Sequence, residues 1–354
     1  MNAQFTKHEL IFKQASGTSR GVLTTKETYL LEISKNGQKG IGECAIFRGL
    51  SYDDVPDYEE KLTWLCKNIN LDFEVLKKEL LHYPSIIFGL EQALLNLEHG
   101  EDLYFPSDFT DGKDSIKING LIWMGNADFM QSQIEEKLAK GFDCIKLKIG
   151  VDWKSEKEII KKLREKFPKE QLELRVDANG AFSYEEATIV LQELADLGIH
   201  SIEQPIKKSQ VKSKMSQETD EINSTDCCVP WNEMAKLCAE TPTPIALDEE
   251  LIGVIDFEEK KKLLETIKPQ YIILKPALVG GFSGSDEWIA IAESLGINWW
   301  ITSALESNIG LNAICQYTYT KKNPLPQGLG TGALFTNNFE THLQLEGDQM
   351  WHKK

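Results

Sequence analysis

Hydrophobic and polar positions change rhythm twice along this chain. Residues 3–15 and 22–34 carry strand-like runs such as TYLLEI, and GQKGIGECA follows a Gly-containing turn as a third strand. Helical spacing then takes over in YEEKLTWLCKNI, FEVLKKELL and SIIFGLEQALLNLEH, with Pro56 and Pro84 near two of the helix starts, where proline is tolerated. The first hundred residues therefore read as an α+β unit.

From about residue 116, short apolar runs alternate with amphipathic helical stretches. The strand candidates are IKINGLIW, CIKLKIG, LELRVDA, HSIEQP, PIALDE, YIILKP, INWWIT and a short one near PQGLG. Between them lie ADFMQSQIEEKLAKG, KSEKEIIKKLREKF, SYEEATIVLQELADLG, DFEEKKKLLETI and SDEWIAIAESLG. Alternation at this spacing implies a parallel sheet, and eight strands in about 220 residues suggest a closed (β/α)8-like barrel. A doubly wound open sheet is the competing arrangement, weakened by the absence of a GxGxxG after a strand. One stretch breaks the rhythm: residues 207–228 are rich in Ser, Lys, Thr and Asp where a short loop is usual. They read as a mobile polar insertion on the loop face, with a lid as the functional alternative.

Composition narrows the function classes. The 354 residues carry a net charge of −16, so the basic footprint of a nucleic-acid binder is missing. Seven cysteines without a CxxC pair read as reduced thiols rather than a disulfide framework. No apolar stretch approaches the roughly 18 residues of a membrane helix, and the N-terminus is charged where a signal peptide would be apolar. The expectation is a cytoplasmic protein acting on a small molecule, with neither nucleic acid nor membrane as partner.

The strand ends carry the chemistry. Active sites of barrels sit at the C-terminal ends of the strands. Here those ends read Lys146-Leu-Lys148, Arg175-Val-Asp177-Ala-Asn179, Glu203-Gln-Pro, Asp248-Glu249-Glu250, Lys275-Pro and Ser303-Ala-Leu-Glu306. Residues i and i+2 share a face, so Lys146 points with Lys148, and Arg175 with Asp177. Three carboxylates on successive strands, Asp177, Glu203 and Asp248, would repel one another strongly without a cation. Hard oxygen donors suit Mg²⁺, and Lys148 and Lys275 would flank it. Taken singly, each residue has an ordinary explanation as a solvated loop residue, a helix cap or a surface pair. The order Lys–Asp–Glu–Asp–Lys on consecutive strands does not.

KLK, DANG, EQP, DEE and KP, in this order, resemble the enolase superfamily in its muconate lactonizing enzyme subgroup. GIGECAIFRGLS (40–51) resembles that subgroup's capping-domain segment, whose loop closes over the substrate, and SALESNIGL (303–311) its strand-seven segment. The resemblance covers nearly the whole chain. It implies a (β/α)7β-type TIM-like barrel over 111–335, an α+β capping domain over 1–110, and a segment 336–354 that packs back on the capping domain. It implies Mg²⁺ as cofactor, with Mn²⁺ as a possible substitute, held by Asp177, Glu203 and Asp248. Lys148 would be the base that removes a proton next to a substrate carboxylate, and Lys275 a protonated group on the opposite face.

The implied reaction is dehydration of 2-succinyl-6-hydroxy-2,4-cyclohexadiene-1-carboxylate in menaquinone biosynthesis. Epimerisation of dipeptides or racemisation of N-succinylamino acids is the alternative within the same superfamily. In the epimerases an acid near the end of strand eight receives the substrate ammonium, whereas this chain reads Gly328-Leu-Gly330-Thr-Gly332 there. A Schiff-base lyase using Lys148 or Lys275 would leave three carboxylates without a purpose, and a non-catalytic barrel would leave the whole set so. Secondary candidates for substrate or supporting contacts are Lys146, Arg175, Asn179, Glu249, Ser303, Glu306 and Gly330. Arg175 could equally be a structural ion pair, Glu306 a helix cap and Asn179 a turn residue. None of the six histidines falls at the C-terminal end of a predicted strand; His200 starts one, at the barrel bottom.

Overall fold

Three antiparallel strands open the chain: β1 (Asn2–Thr18), β2 (Gly21–Lys35) and β3 (Gln38–Cys44), in that order across the sheet. The computed structural model describes residues 1–18, 21–123, 125, 127–209 and 231–353. Helices α1 (Tyr58–Asn68), α2 (Phe73–Glu79) and α3 (Pro84–His99) cover one face of the sheet. Tyr29, Leu31 and Ile33, alternating on β2, meet Leu62, Leu65, Ile86 and Leu90 in one buried cluster. Close approach replaces side chains where β3 meets α3. A Cβ on Gly42 would overlap the Gly89 carbonyl, and one on Gly89 would overlap Cys44.

The alternating region builds the expected barrel. Strand β4 (Ser115–Lys117) is followed by β5 (Gly120–Ile122), α4 (Ala127–Ala139), β6 (Cys144–Lys148), α5 (Trp153–Lys166), β7 (Glu173–Asp177) and α6 (Tyr184–Asp196). Then come β8 (Ser201–Glu203), α7 (Asn232–Glu240), β9 (Ile245–Leu247), α8 (Phe257–Ile267) and β10 (Tyr271–Leu274). The helices α9 (Pro276–Val279) and α10 (Gly281–Ser294), strand β11 (Asn298–Ile301) and α11 (Asn308–Thr320) complete the set. Strands β5 to β11 form one parallel sheet in sequential order. The stretch near PQGLG is not a full strand. It closes the circle through single bridges, Ile118 to Gln327 and Thr302 to Gly328. Hydrogen bonds run to both neighbours, from Asn119 N to Gln327 O (2.9 Å) and from Gly328 N to Ile301 O (2.8 Å).

One detail departs from the sequence pattern. IKINGLIW is not one strand. Its first half, β4, pairs instead with a C-terminal hairpin of β12 (Leu343–Glu346) and β13 (Gln349–His352), and only its second half enters the barrel. The chain ahead of that hairpin touches β1, where Thr336 N donates to Ile11 O (2.8 Å). Of the polar insertion, residues 210–228 lie outside the described residues. The five described cysteines are free thiols.

Glu43 joins the capping sheet to the barrel. This carboxylate is fully buried and accepts hydrogen bonds from Ser307 N (3.0 Å), Ser307 Oγ (2.6 Å) and Gly310 N (2.9 Å) at the N-terminus of α11, and from Thr28 Oγ1 (2.8 Å). A carboxylate at a helix N-terminus meets unpaired N–H groups and the positive end of the helix dipole. Glu43→Ala leaves those donors buried and unpaired, so we expect a loss of about 3 kcal/mol of stability. Urea unfolding of the two proteins checks this; equal midpoints would show that the contact does not hold the lobes.

Candidate active site

Alternation along β6 and β7, continued by the ends of β8, β9 and β10, aims six charged side chains at one place. Lys146, Asp177, Glu203 and Asp248 are each less than one-tenth exposed. Lys146 Nζ donates to Glu203 Oε2 (2.7 Å) and lies 3.9 Å from Asp177 Oδ2. Lys148 Nζ donates to Asp177 Oδ2 (2.9 Å) and Asn179 Oδ1 (2.6 Å). Across the cluster, Lys275 Nζ pairs with Asp248 and stands 3.8 Å from Glu203 Oε1. The two lysines thus flank the carboxylates from opposite sides.

The charges set one another's protonation. Burial pushes the Glu203 carboxyl up to about 7, and the Asp177 and Asp248 carboxylates push it the same way. Burial also raises Asp177, but Lys148, Lys146 and Lys275 outweigh it and hold the group at about 2. Burial raises Asp248 too, against the opposing charge of Lys275. For Lys275 burial favours the neutral amine, yet Asp248 and Glu203 prevail and keep it protonated well above its usual range. Glu203 Oε1 is buried and makes no hydrogen bond among the described residues. An orphaned carboxylate oxygen between two further buried carboxylates fits a hard divalent cation.

The cavity at this end is lined on the charged side by Lys146, Lys148, Asp177, Asn179, Glu203 and Lys275. Its other walls are Asn119, Leu121 and Trp123 from the first barrel strand and its flanks, Thr302 to Leu305 after β11, and Gly328, Gly330 and Thr331. Phe47 and Leu50 of the capping unit complete it, from the 40–51 segment. Ser303 and Gly330 therefore line the space. Ser303 Oγ is hydrogen-bonded to Thr331 Oγ1 at 2.7 Å.

Asn179 and Glu249 support the cluster. Asn179 takes a positive φ of 45°, and its Nδ2 donates to Glu249 Oε1 (3.0 Å) while its Oδ1 accepts from Lys148. Gln204, at φ 41°, uses Oε1 to accept from Asp248 N and Glu250 N, both at 3.2 Å, and so fixes the end of β9. Left-handed backbone at a non-glycine residue is costly, and the hydrogen bonds on both side chains hold it in place.

Two candidates do not reach the cavity. Arg175 shares a face with Asp177 but lies one layer deeper. It pairs with Glu173 (2.7 Å), donates to Pro326 O (2.9 Å) and sits 4.3 Å over the Trp300 ring. It is a structural ion pair closing the barrel interior, not a substrate contact. Glu306 turns away from the carboxylate cluster; its Oε2 accepts from Ala304 N (2.7 Å), and it faces buried Lys26 and Glu43. It does not cap α11 either, since Ser307 Oγ accepts from Ile309 N there.

Asn119, Leu121, Trp123, Thr302 and Thr331 line the cavity without a charge to mark them in the sequence. The i, i+2, i+4 spacing of Asn119, Leu121 and Trp123 was the available signal. His200 lies at the opposite end of the barrel from the cavity, with Nε2 3.2 Å from the Tyr271 hydroxyl. No helix among the described residues is long and apolar enough to cross a membrane.

Comparison with known proteins agrees with this geometry. The enolase C-terminal domain-like family matches residues 130–222 and 226–349. An o-succinylbenzoate synthase from Desulfotalea psychrophila is 42% identical over 98% of both chains. The crystal structure of MenC from that organism superimposes with a TM-score of 0.84 at 40% identity, covering 99% of each chain. An N-succinylamino acid racemase from Thermus thermophilus is 33% identical, covering 85% of this chain and 78% of its own. The chain belongs to the enolase superfamily, in its o-succinylbenzoate synthase family of lyases.

Proposed function

We propose that the chain dehydrates 2-succinyl-6-hydroxy-2,4-cyclohexadiene-1-carboxylate to 2-succinylbenzoate as a Mg²⁺-dependent step of menaquinone synthesis in the cytoplasm. The observation that carries this reading is the pair of lysines, Lys148 and Lys275, on opposite sides of three buried carboxylates. Asp177, Glu203 and Asp248 would hold the ion. When bound, Mg²⁺ supplies positive charge against the negative charge that builds on the substrate carboxylate.

The chain's own residues do the rest. Neutral Lys148 takes the proton from the ring carbon that bears the carboxylate. The electron pair left behind forms the new ring double bond and expels the neighbouring hydroxyl. Lys148, now an ammonium, hands its proton to that oxygen, and water leaves. Lys275 stays protonated throughout and offsets the developing anion from the other side. Phe47, Leu50, Leu121 and Trp123 enclose the ring and restrict water. Aromatisation supplies driving force, so one base and fixed charges suffice.

The same walls argue against a dipeptide. Among the described residues lining the cavity, the carboxylates are Asp177 and Glu203, both in the charged cluster. A free ammonium on the far wall would meet Thr302, Ser303, Thr331 and glycines, with no acid to pair it. A succinyl carboxylate is better served there by hydroxyls and backbone N–H groups. An N-succinylamino acid, whose amine is already acylated, escapes this penalty. The test is kcat/KM measured side by side for dehydration, dipeptide epimerisation and N-succinylamino acid racemisation. Dehydration is expected to exceed dipeptide epimerisation by at least about 10³-fold. Faster turnover of a dipeptide than of the cyclohexadiene would overturn the assignment.

A further inference from the structure

The C-terminal hairpin carries two histidines that the chemistry above does not use. His342 immediately precedes β12 and His352 ends β13. The strand register pairs Leu343 with His352, and Lys353 N donates to His342 O (2.8 Å), so the two imidazoles are held on adjacent strands. Both face Asp102, in the turn after α3. His342 Nδ1 is 2.6 Å and His352 Nε2 is 3.2 Å from Asp102 Oδ2. One donor atom from each residue lies within 4.8 Å of the other two, the one such convergence of three His, Cys or acidic residues among the described residues.

We propose that Asp102, His342 and His352 form a zinc site, separate from the carboxylate cluster in the barrel. Three features favour a cation over a plain hydrogen-bonded contact. The His352 side chain is completely buried, yet its polar contact is one long bond to a carboxylate that His342 already occupies at shorter range. Among the described residues, Asp102 Oδ1 and His352 Nδ1 are buried without hydrogen-bond partners, so the cluster is not satisfied as a hydrogen-bond network. The backbone of Asp102 is held independently, its carbonyl accepting from Asn312 Nδ2 (2.9 Å) and Gln316 Nε2 (2.8 Å) of α11.

Donor chemistry selects the ion. Two imidazoles and one carboxylate suit Zn²⁺, whereas Mg²⁺ prefers oxygen ligands alone. His342 is 43% exposed, which leaves a fourth position open to water. The ion would tie the C-terminal hairpin to residue 102, some 240 to 250 positions away along the chain. Because only the folded chain brings the three ligands together, zinc binding adds to its stability.

The experiment uses the purified full chain, stripped of metal and then titrated with Zn²⁺ in excess Mg²⁺. Bound zinc and the melting temperature are read together. The wild type should retain one zinc per chain and melt about 3–5 °C higher with it. Asp177→Asn, altered in the barrel cluster, should keep both effects. His342→Ala should lose both, and His342→Gln, which can still donate to Asp102 but replaces the imidazole, should do the same if the alanine variant does not fold. Zinc retained by a folded His342 variant overturns the proposal, and so does a wild type that keeps none in excess Mg²⁺.

Discussion

Lys148→Ala is expected to lower kcat for dehydration by about 10³-fold, some 4 kcal/mol of barrier. The Lys148 amino group sits between Asp177 Oδ2 and Asn179 Oδ1 at the cavity wall, with 12% of its side chain exposed. Its removal takes away the base without opening the core, because its partners keep other contacts. Asn179 still donates to Glu249, and Asp177 Oδ1 still accepts from Asn179 N (3.0 Å). The melting temperature should therefore change little while the rate collapses. Lys275→Ala in the same assay gives the contrast. It removes a fixed positive charge rather than a proton carrier, so a lysine-length cation should matter more than basicity, and Lys275→Arg should recover part of the rate. A near-wild-type rate for Lys148→Ala would remove the base assignment.

Metal removal is expected to be the other large effect. Protein treated with EDTA should lose turnover, Mg²⁺ should restore it, and Mn²⁺ should substitute. Glu203→Gln is the most direct structural test. Its Oε1 has no hydrogen-bond partner among the described residues, and it stands between the other two acidic strand ends. Exchanging that carboxylate for an amide should weaken Mg²⁺ binding and cost about 10²–10³-fold in kcat. Full turnover by metal-free protein would contradict the role given to all three carboxylates. EDTA would empty the proposed zinc site as well, but restoration by Mg²⁺ alone separates the two, because the zinc ligands include two imidazoles and lie outside the cavity.

Both outcomes depend on depth within the barrel as much as on residue type. Arg175 and Asp177 stand two residues apart on one face of β7, yet one stacks on Trp300 in the interior and the other faces the cavity. A step of two residues along a strand moves a side chain about 6–7 Å along the barrel axis, enough to separate a structural charge from a site charge.

Much of this was legible along the chain. The change from strand runs to helical spacing, and then to strand–helix alternation, determined an α+β unit followed by a parallel sheet, because side-chain periods of 2 and 3.6 leave different marks. Strand ends in the order Lys, Asp, Glu, Asp, Lys located the charged cluster, because parallel strands place all their C-terminal ends on one face. Other features had no local signature. Nearly all of α11 from Asn308 to Thr318 is buried, so it has no polar face and shows no amphipathic period. The split of IKINGLIW depends on a hairpin more than 200 residues later, to which no periodicity points. Glu306 sits beside a strand end like Asp177, but a backbone turn with Leu305 at φ 62° directs it toward Lys26 and Glu43. Local pattern determines which residues lie on a strand and on which face. The tertiary structure alone decides how deep they sit, what packs across from them, and which distant segments supply partners, because those contacts join residues that share no neighbourhood in the chain.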